Sequence, residues 1–233
     1  MHPTVKAARV AGAIYLSMVV TGPFSLLYVP GKLIVQGDAT ATAANFLAHE
    51  TLFRFGVIAD MVGSVIFICL GIALYRLFSG VNKTQAGLLV SFVLVSSAVG
   101  FANVLTNIAA FTLFRGGEFL AVLNKDHLDA LGMLFVRLHS QGIVINELFW
   151  GVWLFPFGVL VYQSRFLPRI LGVWLLLGGL AYVVLSFTGI LLPQYSGKMF
   201  TYSQPAFFSE LAIMLWLLIR GANAERLPTP AVA

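Results

Sequence analysis

Residues 135–158 read FVRLHSQGIVINELFWGVWLFPFG, a run long and apolar enough to cross a bilayer that still holds Arg137, His139, Gln141, Asn146 and Glu147. A transmembrane helix needs about 20 mainly apolar residues, and Phe, Ile, Val, Leu and Trp supply them here. Hydrocarbon makes the polar side chains expensive, since an Asp, Lys or Arg at a helix centre costs about 2.5–3.5 kcal/mol on insertion. A chain that keeps them must surround them with protein. The stretch therefore reads as a central helix in a membrane bundle.

The rest of the chain agrees. Of its 233 residues, 59% are hydrophobic and only 10% charged, with a mean hydropathy of +0.92. A soluble domain carries about a quarter charged residues, so this chain lacks the polar surface that water requires. The net charge of +5 does not point to nucleic acid. Its basic residues form short clusters between apolar runs and never one stripe. The single cysteine, Cys69, lies in an apolar run and can form no intrachain disulfide.

Six segments have the length and character of spans: about 10–28, 55–78, 86–114, 132–162, 169–191 and 205–220. Pro205 suits a first helical turn, with Ser203 as its cap. Pro156 removes a backbone hydrogen bond and predicts a kink in the fourth span. One set of connecting segments holds Lys6, Arg9, Arg76, Lys83, Arg165, Arg169, Arg220 and Arg226. The other holds Lys32, Arg115, Lys125 and Lys198 among most of the acids. Basic residues favour the cytoplasmic side, which puts both termini in the cytoplasm, as an even number of spans requires. The expectation is an all-α, polytopic, six-helix membrane bundle forming one domain over 1–222, with a disordered cytoplasmic tail at 223–233. Segments 41–53 and 118–130 have apolar residues at helical spacing. They fit either interfacial amphipathic helices or extensions of the adjacent spans.

Removing the loop charges leaves Arg54, Asp60, Arg137, Glu147 and Glu210 within or at the edges of spans. Arg54 lies near enough to the surface to snorkel. With Asn103 and Asn107, four residues apart on one helix face, and with His139, Gln141 and Asn146, the others form the candidate binding set. They are expected to share one polar chamber open to the outer face and centred on the fourth span. Glu147 stands out because no opposite charge lies at i±3 or i±4 on its own helix. An interhelical salt bridge or a set of packing hydrogen bonds would explain the same residues without a ligand.

Motifs exclude more than they assign. HExxH, GxSxG, P-loop and GxGxxG patterns are absent. No spacing supports a metal site or a cofactor. One echo, G-x-x-Y-x5-T-G, occurs at Gly12–Gly22 and again at Gly179–Gly189. Glycine is abundant and the match short, so chance accounts for it.

The blocks ARVAGAIYL, TAANFLAHETLFRFGVIADM, RLHSQG and FWGVWLFPFGVLVYQSRFLPRILG resemble the bacterial polytopic membrane family called domain of unknown function 4386. The resemblance runs from about residue 8 to 220. It implies a multi-pass protein of the bacterial inner membrane and brings no activity with it. The expected partners are the lipid bilayer and a small solute or proton, bound or translocated with Glu147 as the protonatable centre. A membrane-embedded enzyme acting on a lipid-like substrate, and a purely structural protein, remain open alternatives.

Overall fold

With no water in hydrocarbon, a backbone must satisfy its own N–H and C=O groups, and a helix does so within one segment. The computed structural model, which describes residues 3–223, follows that rule. Among the described residues there are no strands, and six helical stretches of 23 to 39 residues are long and apolar enough to span a membrane. The first stretch is α1 (Pro3–Pro23), a π-helical turn over Phe24–Tyr28, and α2 (Val29–Leu33). The π turn follows Pro23, whose missing N–H breaks the regular ladder. A short α3 (Ala39–Ala48) precedes α4 (Glu50–Phe78), α5 (Lys83–Arg115), α6 (Lys125–Val152), α7 (Leu154–Gln163), α8 (Arg169–Leu191) and α9 (Ser196–Ile219).

Punctuation residues explain most boundaries. Pro168 sits in extended backbone immediately before α8, and Pro193 follows its end. The fourth span breaks at Trp153 between α6 and α7. Pro156 has no N–H to give the carbonyl of Val152, so the expected kink falls there. The sixth span differs from expectation. Its helix begins at Ser196, and Pro205 lies inside it. Ser203 caps nothing, since it is buried and its hydroxyl lacks a partner. Proline is tolerated within membrane helices, and the indole N–H of Trp174 donates to the Pro205 carbonyl at 2.9 Å, tying α8 to α9 at this point.

Segment 41–53 largely forms a helix of its own. Asp38 caps α3 by accepting from the Ala41 N–H at 2.8 Å. Phe46 is buried and packs against Phe53 and Phe114, so its apolar face meets protein. Segment 118–130 divides into a 3-10 turn over Glu118–Leu120 and the first turns of α6. The tail from residue 224 onward lies outside the described residues.

The chain resolves into two compact units, each described here by itself. The first comprises α1 up to Ser17, Ile66–Ser96 and the described chain from Val144; the second comprises Met18–Val65 and Ser97–Ile143. In the first, Trp153 stacks on Phe157 and is met edge-on by both Phe67 and Tyr15. Glycines there set the helix spacing. A Cβ on Gly151 would lie 2.6 Å from the Gly179 carbonyl oxygen, and one on Gly158 would lie 2.8 Å from that of Gly172. The two pairs sit seven residues apart along both sides of an antiparallel helix crossing, where only glycine lets the backbones touch. In the second unit, Val29, Leu33, Phe46, Phe53, Phe111, Phe114 and Met133 form a continuous apolar core.

Candidate functional site

Within the first unit, the sequence brings two tyrosines to one carboxylate. Gly12 is packed so closely on α9 that an added Cβ would lie 2.5 Å from the Leu218 backbone nitrogen. One turn later, the Tyr15 hydroxyl donates a hydrogen bond to the Glu210 carboxylate. On α8, Gly178 abuts the Ala206 carbonyl and the Ser209 hydroxyl. One turn later, Tyr182 stacks on Phe207 with ring centroids 4.2 Å apart, and its phenol lies within electrostatic reach of Glu210. Small residues at the crossings thus let two helices approach α9 and present a phenol each.

Glu147 belongs to the same unit. It is half-buried on α6 and lies within electrostatic reach of Tyr182, whose ring Trp150 meets edge-on. Asn146, next in sequence, is buried and accepts from the Ser96 hydroxyl at 2.9 Å. Its role is a hydrogen bond between α5 and α6. Among the described residues, neither Glu147 nor Glu210 is ion-paired with a lysine or arginine.

The second unit holds a separate polar group around His139. Its Nδ1 lies 3.1 Å from the Asn103 carbonyl oxygen, and its own carbonyl accepts from the Asn103 side-chain amide at 2.9 Å. The Thr106 hydroxyl donates to that same Asn103 carbonyl at 2.6 Å, and the Asn107 amide nitrogen lies 3.2 Å from Nε2. A Cβ at residue 142 would lie 2.0 Å from Asn103 Oδ1, so Gly142 makes room for the amide. Asp60 lies within electrostatic reach of His139.

Arg137 and Gln141 are exposed on α6. Arg137 borders an open recess with Gly37, Ala39 and Met133, and among the described residues it forms no ion pair. Arg54 instead pairs with Glu50, its Nε 2.8 Å from the carboxylate, and its guanidinium lies over Phe111. Asp129, which the charge count assigns to a loop, is 1% exposed and pairs with Lys125. Among the described residues, no three His, Cys, Asp or Glu side chains gather as a metal site.

Charge counting missed Tyr15 and Tyr182, because phenols enter it as apolar aromatics. One signal did contain them. They occupy the Y position in the two copies of G-x-x-Y-x5-T-G, and both copies converge on Glu210.

Comparison with known proteins agrees with this architecture and adds no chemistry. A protein of Archaeoglobus fulgidus described as uncharacterized is 24% identical over 189 residues, covering 81% of this chain and 98% of its own. No solved structure matches the chain. The family model for Domain of unknown function (DUF4386) matches residues 10–221, nearly the whole of the six spans, and this multi-pass membrane protein belongs to that family.

Proposed function

We propose that this protein binds a proton, or a small solute exchanged against one, at the Glu210 carboxyl group, with Glu147 as a second protonatable group. One observation carries the reading: Glu210 accepts a hydrogen bond from the Tyr15 phenol, lies within electrostatic reach of the Tyr182 phenol, and is not ion-paired among the described residues. A carboxylate kept only to hold helices together is best neutralised by a cation. A phenol is both donor and acceptor, so it can bond the ionised carboxylate by giving its proton and the neutral acid by accepting one. Tyr15 therefore leaves Glu210 with a partner in both states. Tyr182 also feels the charge of Glu147, which links the two carboxyl groups through one phenol. Intramembrane ionisable side chains commonly mark proton or ion pathways.

In this reading both termini lie in the cytoplasm, and the membrane is the bacterial inner membrane. Asn146, next to Glu147 in the same unit, acts as a supporting polar group.

The test is proton uptake. Infrared difference spectra of the protein in lipid, recorded across a pH titration, are expected to show a carboxylic-acid band that Glu210→Gln removes and Glu147→Gln shifts. Proteoliposomes with an internal pH dye are expected to show proton flux that Glu210→Gln abolishes while the variant still inserts. A wild-type protein without a titrating carboxyl band, or unchanged flux in Glu210→Gln, ends the proposal in favour of a structural role.

A further inference from the structure

The turn between α7 and α8 carries a feature that the carboxylate site does not use. Ser164, Phe166 and Leu167 are all buried, and Phe166 stacks on Phe78. The Phe166 carbonyl is held by the Asn223 N–H at 3.0 Å. Anchoring residues on both sides forces Arg165 outward with φ at 60°, a left-handed conformation that a side chain with a Cβ rarely adopts. It is the one non-glycine with positive φ among the described residues. The outcome is an exposed guanidinium at the rim of an open cavity of about 600 Å³, lined among the described residues also by Leu167, Pro168 and Arg169. Arg169 is placed by Tyr162, its guanidinium carbon 5.3 Å from the ring centroid. Neither arginine forms an ion pair among the described residues.

We infer that this cavity binds the phosphate of an anionic phospholipid, with Arg165 and Arg169 as its two guanidinium donors. Three features favour a lipid over a free anion. First, the turn joins the ends of two spans, which sets it at headgroup depth. Second, the cavity floor is apolar, formed by Leu167 and Pro168. Third, Ile170, Val173 and Leu177 are exposed along α8 from the cavity inward, and their spacing of three and then four residues makes one stripe. An acyl chain laid along that stripe would leave its phosphate between the arginines. Planar guanidinium groups suit phosphate because they bind it with two parallel hydrogen bonds. Basic pockets at the ends of spans are a common means of headgroup recognition.

The test uses delipidated full-length protein in neutral detergent. Thermal unfolding and native mass spectrometry are run with phosphatidylglycerol, phosphatidylcholine or inorganic phosphate added. Phosphatidylglycerol is expected to raise the midpoint and to remain bound, and the other two are not. Arg165→Gln with Arg169→Gln is expected to lose the shift, with affinity falling roughly fivefold for each guanidinium removed. Arg165→Gly guards against a folding artefact. Glycine accepts φ of 60° without strain, so this variant should be at least as stable without lipid and still bind lipid more weakly. Equal stabilisation of the wild type and the double variant by phosphatidylglycerol would overturn the inference. A shift reproduced by inorganic phosphate alone would also overturn it and assign the cavity to a soluble anion.

Discussion

Tyr15 and Glu210 stand 195 positions apart in sequence, yet the tyrosine hydroxyl donates directly to the glutamate carboxylate. A hydrogen bond to a charged group contributes about 1.5–3 kcal/mol. Tyr15→Phe is therefore expected to destabilise the protein by about that amount while leaving the ring contact with Trp153 in place. Pairing it with Glu210→Gln in a double-mutant cycle should give a coupling of about 0.5–3 kcal/mol, read from thermal or denaturant unfolding in detergent. Additive effects would show that the two side chains do not act on one another.

The glycine crossings make a prediction of opposite sign at different sites. At Gly12 the atoms in the way are backbone, and at Gly151 and Gly158 the nearest is a backbone carbonyl oxygen, which cannot step aside as a flexible side chain can. Alanine at any of these positions should cost about 1–3 kcal/mol by overpacking. At Gly87, within α5, nothing lies within 4 Å of the added methyl. Alanine there should be neutral or stabilise by up to about 1 kcal/mol, because it is the better helix former. Comparing the four single variants by thermal unfolding tests the packing directly, and equal effects at all four would refute it.

Those glycines also show what a single sequence conveys. The number of spans follows from hydropathy and length, and the fifth span is legible at both ends because Pro168 and Pro193 bracket it. The start of the sixth was misplaced for a physical reason. Pro205 carries the signature of a first helical turn, but a bilayer also accepts proline within a helix, and sequence does not separate the two cases. Asn103 and Asn107 were legible as one face because their spacing is helical, and His139 proved to be what that face addresses. The partners of Glu210 were not legible by charge, since neither is charged. The repeated glycine–tyrosine pattern held both of them, but a match that short gains weight only when three-dimensional structure brings its copies to one side chain. Arg137 enters the candidate binding set by depth. Depth fixes height on a helix and says nothing of azimuth, and its side of α6 is exposed.

The histidine site permits a final prediction, about proton position. A carbonyl oxygen can only accept, so the 3.1 Å contact between His139 Nδ1 and the Asn103 carbonyl requires a proton on Nδ1. Thr106 donates to the same oxygen at 2.6 Å, which removes the hydroxyl as a competing donor to the ring. Nε2 then accepts from the Asn107 amide, 3.2 Å away. Such a ring is oriented at both nitrogens, as a side chain kept in one tautomer must be. Protein with nitrogen-15-labelled histidine, examined by solid-state NMR in lipid, is expected to show His139 with a protonated Nδ1. Asn107→Leu should shift the Nε2 resonance and leave Nδ1 unchanged. A resonance pattern with the proton on Nε2 and a bare Nδ1 would mean that the Asn103 carbonyl does not orient this ring. The nearby Asp60, whose surroundings include His139, would then face a differently presented imidazole.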